Sequence, residues 1–387
     1  MAASNGAPKY AEVAEALESQ IRNGMWEGGK MPSVRGIAGR HKVSVVTASR
    51  AIQILRDKGL IQTVQRSGCY RVAPPSAERW ALVLRLTPGP WQKATLGLSR
   101  FGFEALARRE PMHLEPDAIP LAAAMSEAEV RGHVARAKGA GCRGAFFLPS
   151  RCSAEEARAD ERFLAACRAE AVPVVLLERN LRGHNRELEH DLVAVDDLDG
   201  AARGTRHLID LGRQRIALVV ASPTSSHNDR VAGYLYALHA AGLDPGRRAE
   251  LKPAVLYQSP DRPTREAYAK LADQVRKLRL DGVVCYQDYT AMGLIIELLA
   301  RGARVPDDVA VVGSDDLPIG DLFAIGLTTY SYPSEAMAEQ AVRLMRERLG
   351  APLRRPLRVV VPGRLIVRDS SAGTAARSAN NISSMID

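Results

Sequence analysis

Two groups of side chains in this 387-residue chain can do chemistry, and they are distributed differently. The first group is local: Ser33 and Arg35, then Ser44, Val45, Val46, Thr47, Ser49 and Arg50, then Arg66 and Gly68 in a tight Arg66-Ser67-Gly68 turn. A hydroxyl at a helix N-terminus accepts backbone N–H bonds and positions a phosphate. An arginine holds a phosphate, or the O6/N7 edge of guanine, through two N–H donors. The second group is spread along the chain. Glu178, Arg230, Gln287 and Asp315 stand at or near the ends of apolar runs, and Thr87 and Trp91 follow another such run. In open α/β sheets the carboxyl ends of strands are where small ligands bind.

The elements that must position the first group follow from periodicity. Val13, Leu17 and Ile21 form one stripe of a helix that ends near Gly24. Pro32-Ser33 opens a second short helix with Ser33 as N-cap and Ile37 inward. A third begins after Ser44, with Ala48, Ala51, Ile52 and Leu55 as its core stripe, and stops at Lys58-Gly59. Leu60–Val64 and Cys69–Val72 read as a hairpin. A second short helix carrying hydroxyls and arginine at its start matches the way a recognition helix enters the major groove, and the hairpin then serves as a wing. The same periodicity also suits a three-helix packing module that touches no DNA.

The second group needs parallel sheets. Ala81–Leu86, Gly144–Leu148, Val172–Leu177, Ile216–Ala221, Gly282–Cys285 and Val309–Gly313 are short apolar runs separated by helical stretches. Near-continuous apolar strands are buried on both faces, and six over nearly 300 residues favour two doubly wound lobes. The expected fold class is therefore α/β: an N-terminal winged helix-turn-helix and a two-lobed domain of doubly wound parallel sheets. The expected divisions are a disordered leader at 1–9, the winged helix at 10–73 and a Pro-rich linker at 74–79. The two-lobed domain follows at 80–370, then a Ser/Ala/Asn-rich tail at 371–387.

The formal net charge is +9, and residues 1–75 carry +6 of it, eleven basic against five acidic side chains. Between Arg35 and Arg71 the only acid is Asp57. A basic stretch of this kind suits a polyanion partner, although a solvated basic face has the same composition. The N-terminal MAASNGAPKY lacks an apolar segment, so no signal peptide, no membrane span and a cytoplasmic location are expected. Cysteines 69, 142, 152, 167 and 285 make no C-x-x-C pair, which excludes a zinc ribbon and argues for reduced thiols. The chain has no nucleophile elbow, phosphate loop or dinucleotide glycine fingerprint, so no enzyme, cofactor or metal is expected.

The run from Gly24 through Trp26, Gly28, Lys30, Pro32-Ser33, Arg35 and Ile37-Ala38 is followed by Val43-Ser44-x-x-Thr47, Asp57-Lys58-Gly59-Leu60-Ile61 and Gly68-Cys69-Tyr70. Together these resemble the GntR-family winged helix over its whole length. The resemblance implies that Ser33, Arg35, Ser44, Thr47, Arg50 and the wing around Gly68 contact DNA. Many relatives carry arginine directly after the Ser44 position, where this chain has Val45-Val46. Apolar side chains there touch thymine methyls and cannot hydrogen-bond guanine.

Further on, Val195-Asp196 with Gly200-Ala201, Gly204, His207-Leu208-Ile209 and Leu211-Gly212-Arg213 is followed by Ser226-x-x-x-Arg230-x-Ala232-Gly233-Tyr234. Asp281 to Gly293 and Val305 to Asp316 continue the pattern. These motifs resemble the effector domain of LacI/GalR-type repressors, a domain built like a periplasmic sugar-binding protein, over roughly residues 80–370. The resemblance implies Ser226, Arg230, Gln287 and Asp315 as effector ligands, with Glu178 where relatives often have Asp. Trp91 can stack on a sugar ring or be an ordinary loop or core residue; Asp288 can cap the helix expected from Thr290, and Asp316 can hold a turn. A GntR-type unit on a LacI-type domain is similar to arabinose-responsive AraR-type repressors. The implied protein is a regulator, a repressor in the commoner case. It would be a homodimer on pseudo-palindromic double-stranded operator DNA, controlled by a small-molecule effector, a carbohydrate. The rival readings are an effector-independent architectural DNA binder, a free solute-binding protein and an enzyme with a sugar-related ligand.

Overall fold

The computed structural model describes residues 8–22, 31–58, 60–64, 68–71, 78–84, 90–116, 118–150, 153–184, 186–222, 224–243, 254–258 and 264–372. Arg66, Thr87, residues 1–7 of the expected leader, 74–77 of the expected linker and 373–387 of the expected tail lie outside the described residues. The chain divides into two compact units between Glu78 and Arg79.

In the first unit, α1 (Lys9–Arg22), α2 (Val34–His41) and α3 (Val45–Asp57) precede a hairpin of β1 (Ile61–Val64) and β2 (Gly68–Arg71). The expected helical stripes are the core: Val13, Leu17, Ile21, Ile37, Ala48, Ala51, Ile52 and Leu55 are all buried, with Ile61 of β1 packed among them. The turn between α2 and α3 is made by Lys42, whose left-handed φ of 51° ends α2. β1 and β2 pair antiparallel, with Val64 opposite Gly68. Gly68 therefore begins a strand instead of forming the tip expected of it.

The second unit runs β3 (Glu78–Val83), α4 (Pro90–Ala107), β4 (Met112–Glu115), α5 (Glu127–Gly139), β5 (Cys142–Phe147), α6 (Ala154–Ala169), β6 (Val174–Leu177), β7 (Asp191–Val195) and α7 (Asp197–Asp210). It continues with β8 (Ile216–Val220), α8 (Ser225–Ala240), β9 (Ala254–Tyr257), α9 (Arg265–Lys277), β10 (Gly282–Cys285), α10 (Asp288–Ala300), β11 (Ala310–Asp315) and α11 (Ile319–Leu322). Last come β12 (Thr328–Ser331), α12 (Ser334–Gly350), β13 (Arg358–Val361), β14 (Leu365–Ile366) and α13 (Asp369–Ala372). Glu78 and Arg79, expected in the linker, already belong to β3. Ser371 and Ala372, expected in the tail, close α13, where Ser371 is buried.

Two six-stranded sheets result, in the orders β13-β7-β6-β5-β3-β4 and β14-β12-β11-β10-β8-β9. The first is parallel from β13 to β3 and the second from β12 to β9, with β14 antiparallel at its edge. Each sheet has an apolar cluster on both faces, which is why its central strands read as unbroken apolar runs. The chain passes between the sheets three times: from β7 into α7, from β12 into α12, and from β13 into β14. α12 packs on α4, β6 and β7 and so belongs to the first lobe. Two glycines permit the closest helix contacts: a Cβ on Gly233 of α8 would lie 2.0 Å from the Leu198 carbonyl of α7, and one on Gly102 of α4 would lie 2.0 Å from that of Ser334.

Candidate functional site

In the first unit both helix starts are capped as the residue types require. Ser33 Oγ accepts from the Gly36 N–H at 3.2 Å, and Ser44 Oγ accepts from the Thr47 N–H at 3.1 Å. The Ser44 and Thr47 hydroxyls also bond each other at 2.8 Å. Arg35, Ser44, Val45, Val46, Ser49 and Arg50 are exposed, while the opposite face of α3 fills the core. The Arg50 guanidinium lies over the ring of Tyr10 in α1, 5.8 Å from its centroid, a contact that periodicity could not indicate.

In the second unit a cleft opens where strands of both sheets end and the chain crosses between them. Five expected residues, Glu178, Ser226, Arg230, Gln287 and Asp315, line it together. Trp91 falls in the first turn of α4, and its side chain lies outside the described part of the structure.

The cleft is organised by two ion pairs and by hydrogen bonds that join distant segments. Arg230 Nε donates to Asp197 Oδ1 at 2.8 Å, and Arg230 Nη1 donates to the Tyr286 carbonyl. Arg179 donates to Glu178 Oε2 at 2.7 Å and to the Pro149 carbonyl at 2.8 Å. Glu178 Oε1 accepts from Ser99 at 2.9 Å and from Tyr332 at 3.4 Å. Burial pushes the Asp197 carboxyl above its ordinary range, against the pull of Arg230. Burial works to lower the Arg230 pKa, but Asp197, Asp315 and Glu178 together hold it above its ordinary value. Burial, reinforced by Glu178, keeps the Tyr332 hydroxyl protonated well above its usual range. Glu178 and Asp315 adopt left-handed φ values of 64° and 110°, a costly backbone state that occurs where side chains are aimed at a site.

Asp288 does not cap a helix at Thr290. α10 begins at Asp288 itself, Gln287 stands at its N-cap without capping a backbone N–H (its amide donates to the Tyr286 and Thr290 hydroxyls), and the Asp288 carboxylate is fully buried. Its Oδ2 accepts from the Leu317 N–H at 2.8 Å and its Oδ1 from the Thr329 hydroxyl at 2.6 Å. It thus anchors the turn after Asp315, and burial lifts its pKa to about 7. Asp316 does hold that turn, accepting from Arg368 at 3.0 Å.

The two lobes are also clasped beside the cleft. Asp229 of α8 receives Arg186 at 3.1 Å and Arg358 of β13, and Ser225 Oγ accepts from the Asn180 N–H at 2.9 Å. Asp197, Asp229, Tyr286 and Tyr332 escaped sequence reasoning because their partners are remote in the chain, and Arg179, although it pairs with its neighbour Glu178, carries no spacing that marks it. The one local signal was charge just after a buried strand, as at Asp196-Asp197 after Val195. Among the described residues no group of three His, Cys, Asp or Glu side chains is placed to hold a metal ion, and no helix is long and apolar enough to cross a membrane.

Comparison with known proteins gives one family match inside each unit. Residues 9–70 match the gntR family of bacterial regulatory proteins, and residues 205–371 match the periplasmic binding protein-like domain. The chain pairs a GntR-family domain with a periplasmic-binding-protein-like domain. The arabinose metabolism transcriptional repressor of Halalkalibacterium halodurans is 23% identical over 384 residues, covering 94% of this chain and 96% of that protein. The HTH-type transcriptional regulators CelR of Thermobifida fusca and GalR of Salmonella typhimurium are 31% and 35% identical, over 46% and 47% of this chain. Against these two, the chain spans about half of the curated relative's length, 51% and 50%. Among solved structures, the CelR–cellobiose complex aligns with a TM-score of 0.59 at 22% identity, over 94% of this chain and 98% of that one. A LacI family regulator from Enterococcus faecium with bound ribose aligns over 76% of this chain and 99% of its own, at 19% identity and a TM-score of 0.57. These likenesses establish the fold.

Proposed function

We propose that this chain is a cytoplasmic transcription regulator, not an enzyme. Its GntR-type unit binds duplex operator DNA, and its cleft binds a sugar whose occupancy changes operator affinity. Repression by a homodimer, relieved by the sugar, is the form of regulation we favour. The observation that carries the reading is the convergence of Glu178, Ser226, Arg230, Gln287 and Asp315 on one cleft at strand ends of both lobes. A sugar presents hydroxyls that each donate and accept, and carboxylate, guanidinium and amide groups meet both needs.

The charges support a neutral ligand. Arg179 and Arg230 are each already matched by a carboxylate, Glu178 and Asp197, and Asp315 adds a further acid to the lining. A phosphate or carboxylate would have to displace one of these pairs. That relatives are named as an arabinose metabolism repressor and a CelR–cellobiose complex supports the sugar class without choosing the sugar. For DNA, the support is the pair of capped helix starts with exposed Arg35, Ser44, Ser49 and Arg50, and the GntR match over residues 9–70.

Thermal-shift screening of neutral sugars and sugar phosphates against the full chain tests the cleft, with Arg230→Ala as control. A neutral sugar is expected to raise the melting temperature of the native protein and not of the variant. Stabilisation by phosphorylated sugars alone, or by none of the sugars, would overturn the carbohydrate reading.

A further inference from the structure

The start of α3 exposes two β-branched apolar side chains that the fold does not use. Val45 is 50% and Val46 is 69% exposed, and neither belongs to the apolar cluster that Ala48, Ala51, Ile52 and Leu55 build on the other face. Helix formation gives no reason for them, because β-branched residues lose side-chain freedom in a helix. The polar groups around them are largely committed. The Ser44 and Thr47 hydroxyls bond each other, Gln53 donates to Asp57 at 2.7 Å, and Arg50 lies over Tyr10.

The setting of this apolar edge selects its occupant. Arg35, Arg40, Lys42 and Arg50 are exposed around it, and no acid occurs between Arg35 and Arg56. A second copy of the same face would be repelled, whereas a polyanion is attracted. The polyanion that also offers an apolar contact in a groove of helix width is duplex DNA, where each thymine projects a C5-methyl into the major groove. We infer that Val45 and Val46 recognise thymine methyl groups, so that this helix selects its sites chiefly by methyl burial instead of by hydrogen bonds to guanine. The inference rests on the N-terminal unit binding duplex DNA.

The test replaces thymine by deoxyuridine, which removes the methyl and leaves every hydrogen-bonding group in place. Duplexes are enriched from a randomised library by the full chain, and the best is remade with deoxyuridine at each thymine in turn. Binding is measured by fluorescence anisotropy at fixed salt. At one or more thymines per bound unit, removal of the methyl is expected to weaken binding about fourfold, the worth of one buried methyl. Val45→Ser with Val46→Ser is expected to weaken the thymine duplex and bring the thymine-to-deoxyuridine ratio close to one. Arg35→Ala is expected to weaken both duplexes and keep the native ratio. Equal native binding of thymine and deoxyuridine duplexes overturns the inference while leaving DNA binding intact, as does a double variant that retains the native ratio. Loss of self-association in the double variant, with the ratio unchanged, assigns the edge to a second copy and also overturns it. Failure to enrich any duplex removes the DNA reading on which the inference stands.

Discussion

The helix edge of the first unit and the cleft of the second are organised in opposite ways. At the edge, the groups that face outward are neighbours in the chain, held by caps three residues apart, Ser33 to Gly36 and Ser44 to Thr47. In the cleft, Arg230 meets Asp197 from 33 residues away, and Glu178 meets Tyr332 across 154. The edge is exposed, so its charges are screened and its side chains lean only on weak or near-neighbour contacts. The cleft is buried, so its charges hold one another, and removing one leaves its partner stranded. The unit proposed to bind DNA should therefore tolerate single changes that the cleft cannot.

Arg230→Ala should be the most damaging single change. It leaves Asp197 buried without its partner, a loss of about 3–5 kcal/mol for a broken buried pair. Thermal unfolding of the full chain measures it, and a loss under about 1 kcal/mol would put the pair in the screened class with the edge.

Asp288 sharpens the contrast through pH. Its folded pKa, about 7, lies above the ordinary carboxyl value, so the folded state holds this proton more tightly than the unfolded state. Its contribution is most favourable below the ordinary carboxyl range and is lost as pH rises to about 7. Asp288→Asn removes that dependence while keeping an acceptor for the Leu317 N–H. Between pH 5 and pH 8 the native protein should lose roughly 1–3 kcal/mol relative to the variant, at about 1.4 kcal/mol per unit of pKa. Parallel pH profiles for the two proteins would show that Asp288 does not titrate in this range.

The cross-lobe cluster at Asp229 is an intermediate case, since Arg186 is exposed and Arg358 mostly buried. Asp229→Asn should cost roughly 1–2 kcal/mol, and it should change sugar affinity more than DNA affinity. At the edge the effects should be small. Ser44→Ala removes an N-cap for about 1 kcal/mol. Arg50→Ala should shift stability by less than about 0.5 kcal/mol while weakening DNA binding severalfold. A large stability loss from Arg50→Ala would mean that its stacking on Tyr10 holds the fold together.

The same division explains what could be read in advance. Caps, helical stripes and the hairpin of the first unit are local, and they were legible down to Ser33 and Ser44. The central strands β3, β5, β6, β8, β10 and β11 were legible because burial on both faces makes them apolar throughout. β12 was not: Thr328 and Thr329 break the apolar pattern of its sequence, yet both are buried, with hydroxyls bonded to Ser371 and Asp288. Glu178, Ser226, Arg230, Gln287 and Asp315 were found as separate strand-end or helix-start residues, and the structure brings them into one cleft. Asp197 and Tyr332, which meet Arg230 and Glu178 from 33 and 154 residues away, were hidden because a long-range contact leaves no spacing in the chain. The buried anchor at Asp288 passed for a helix cap for the same reason.

The most direct test of coupled DNA and sugar binding is an anisotropy titration of the enriched duplex with the full chain, with and without the neutral sugar that stabilises it. The sugar is expected to change the dissociation constant by about tenfold, within the usual range of coupling between two sites, and Arg230→Ala is expected to abolish the change. An operator affinity that stays the same with the cleft saturated, or a response that survives in Arg230→Ala, would contradict control of DNA binding through this cleft.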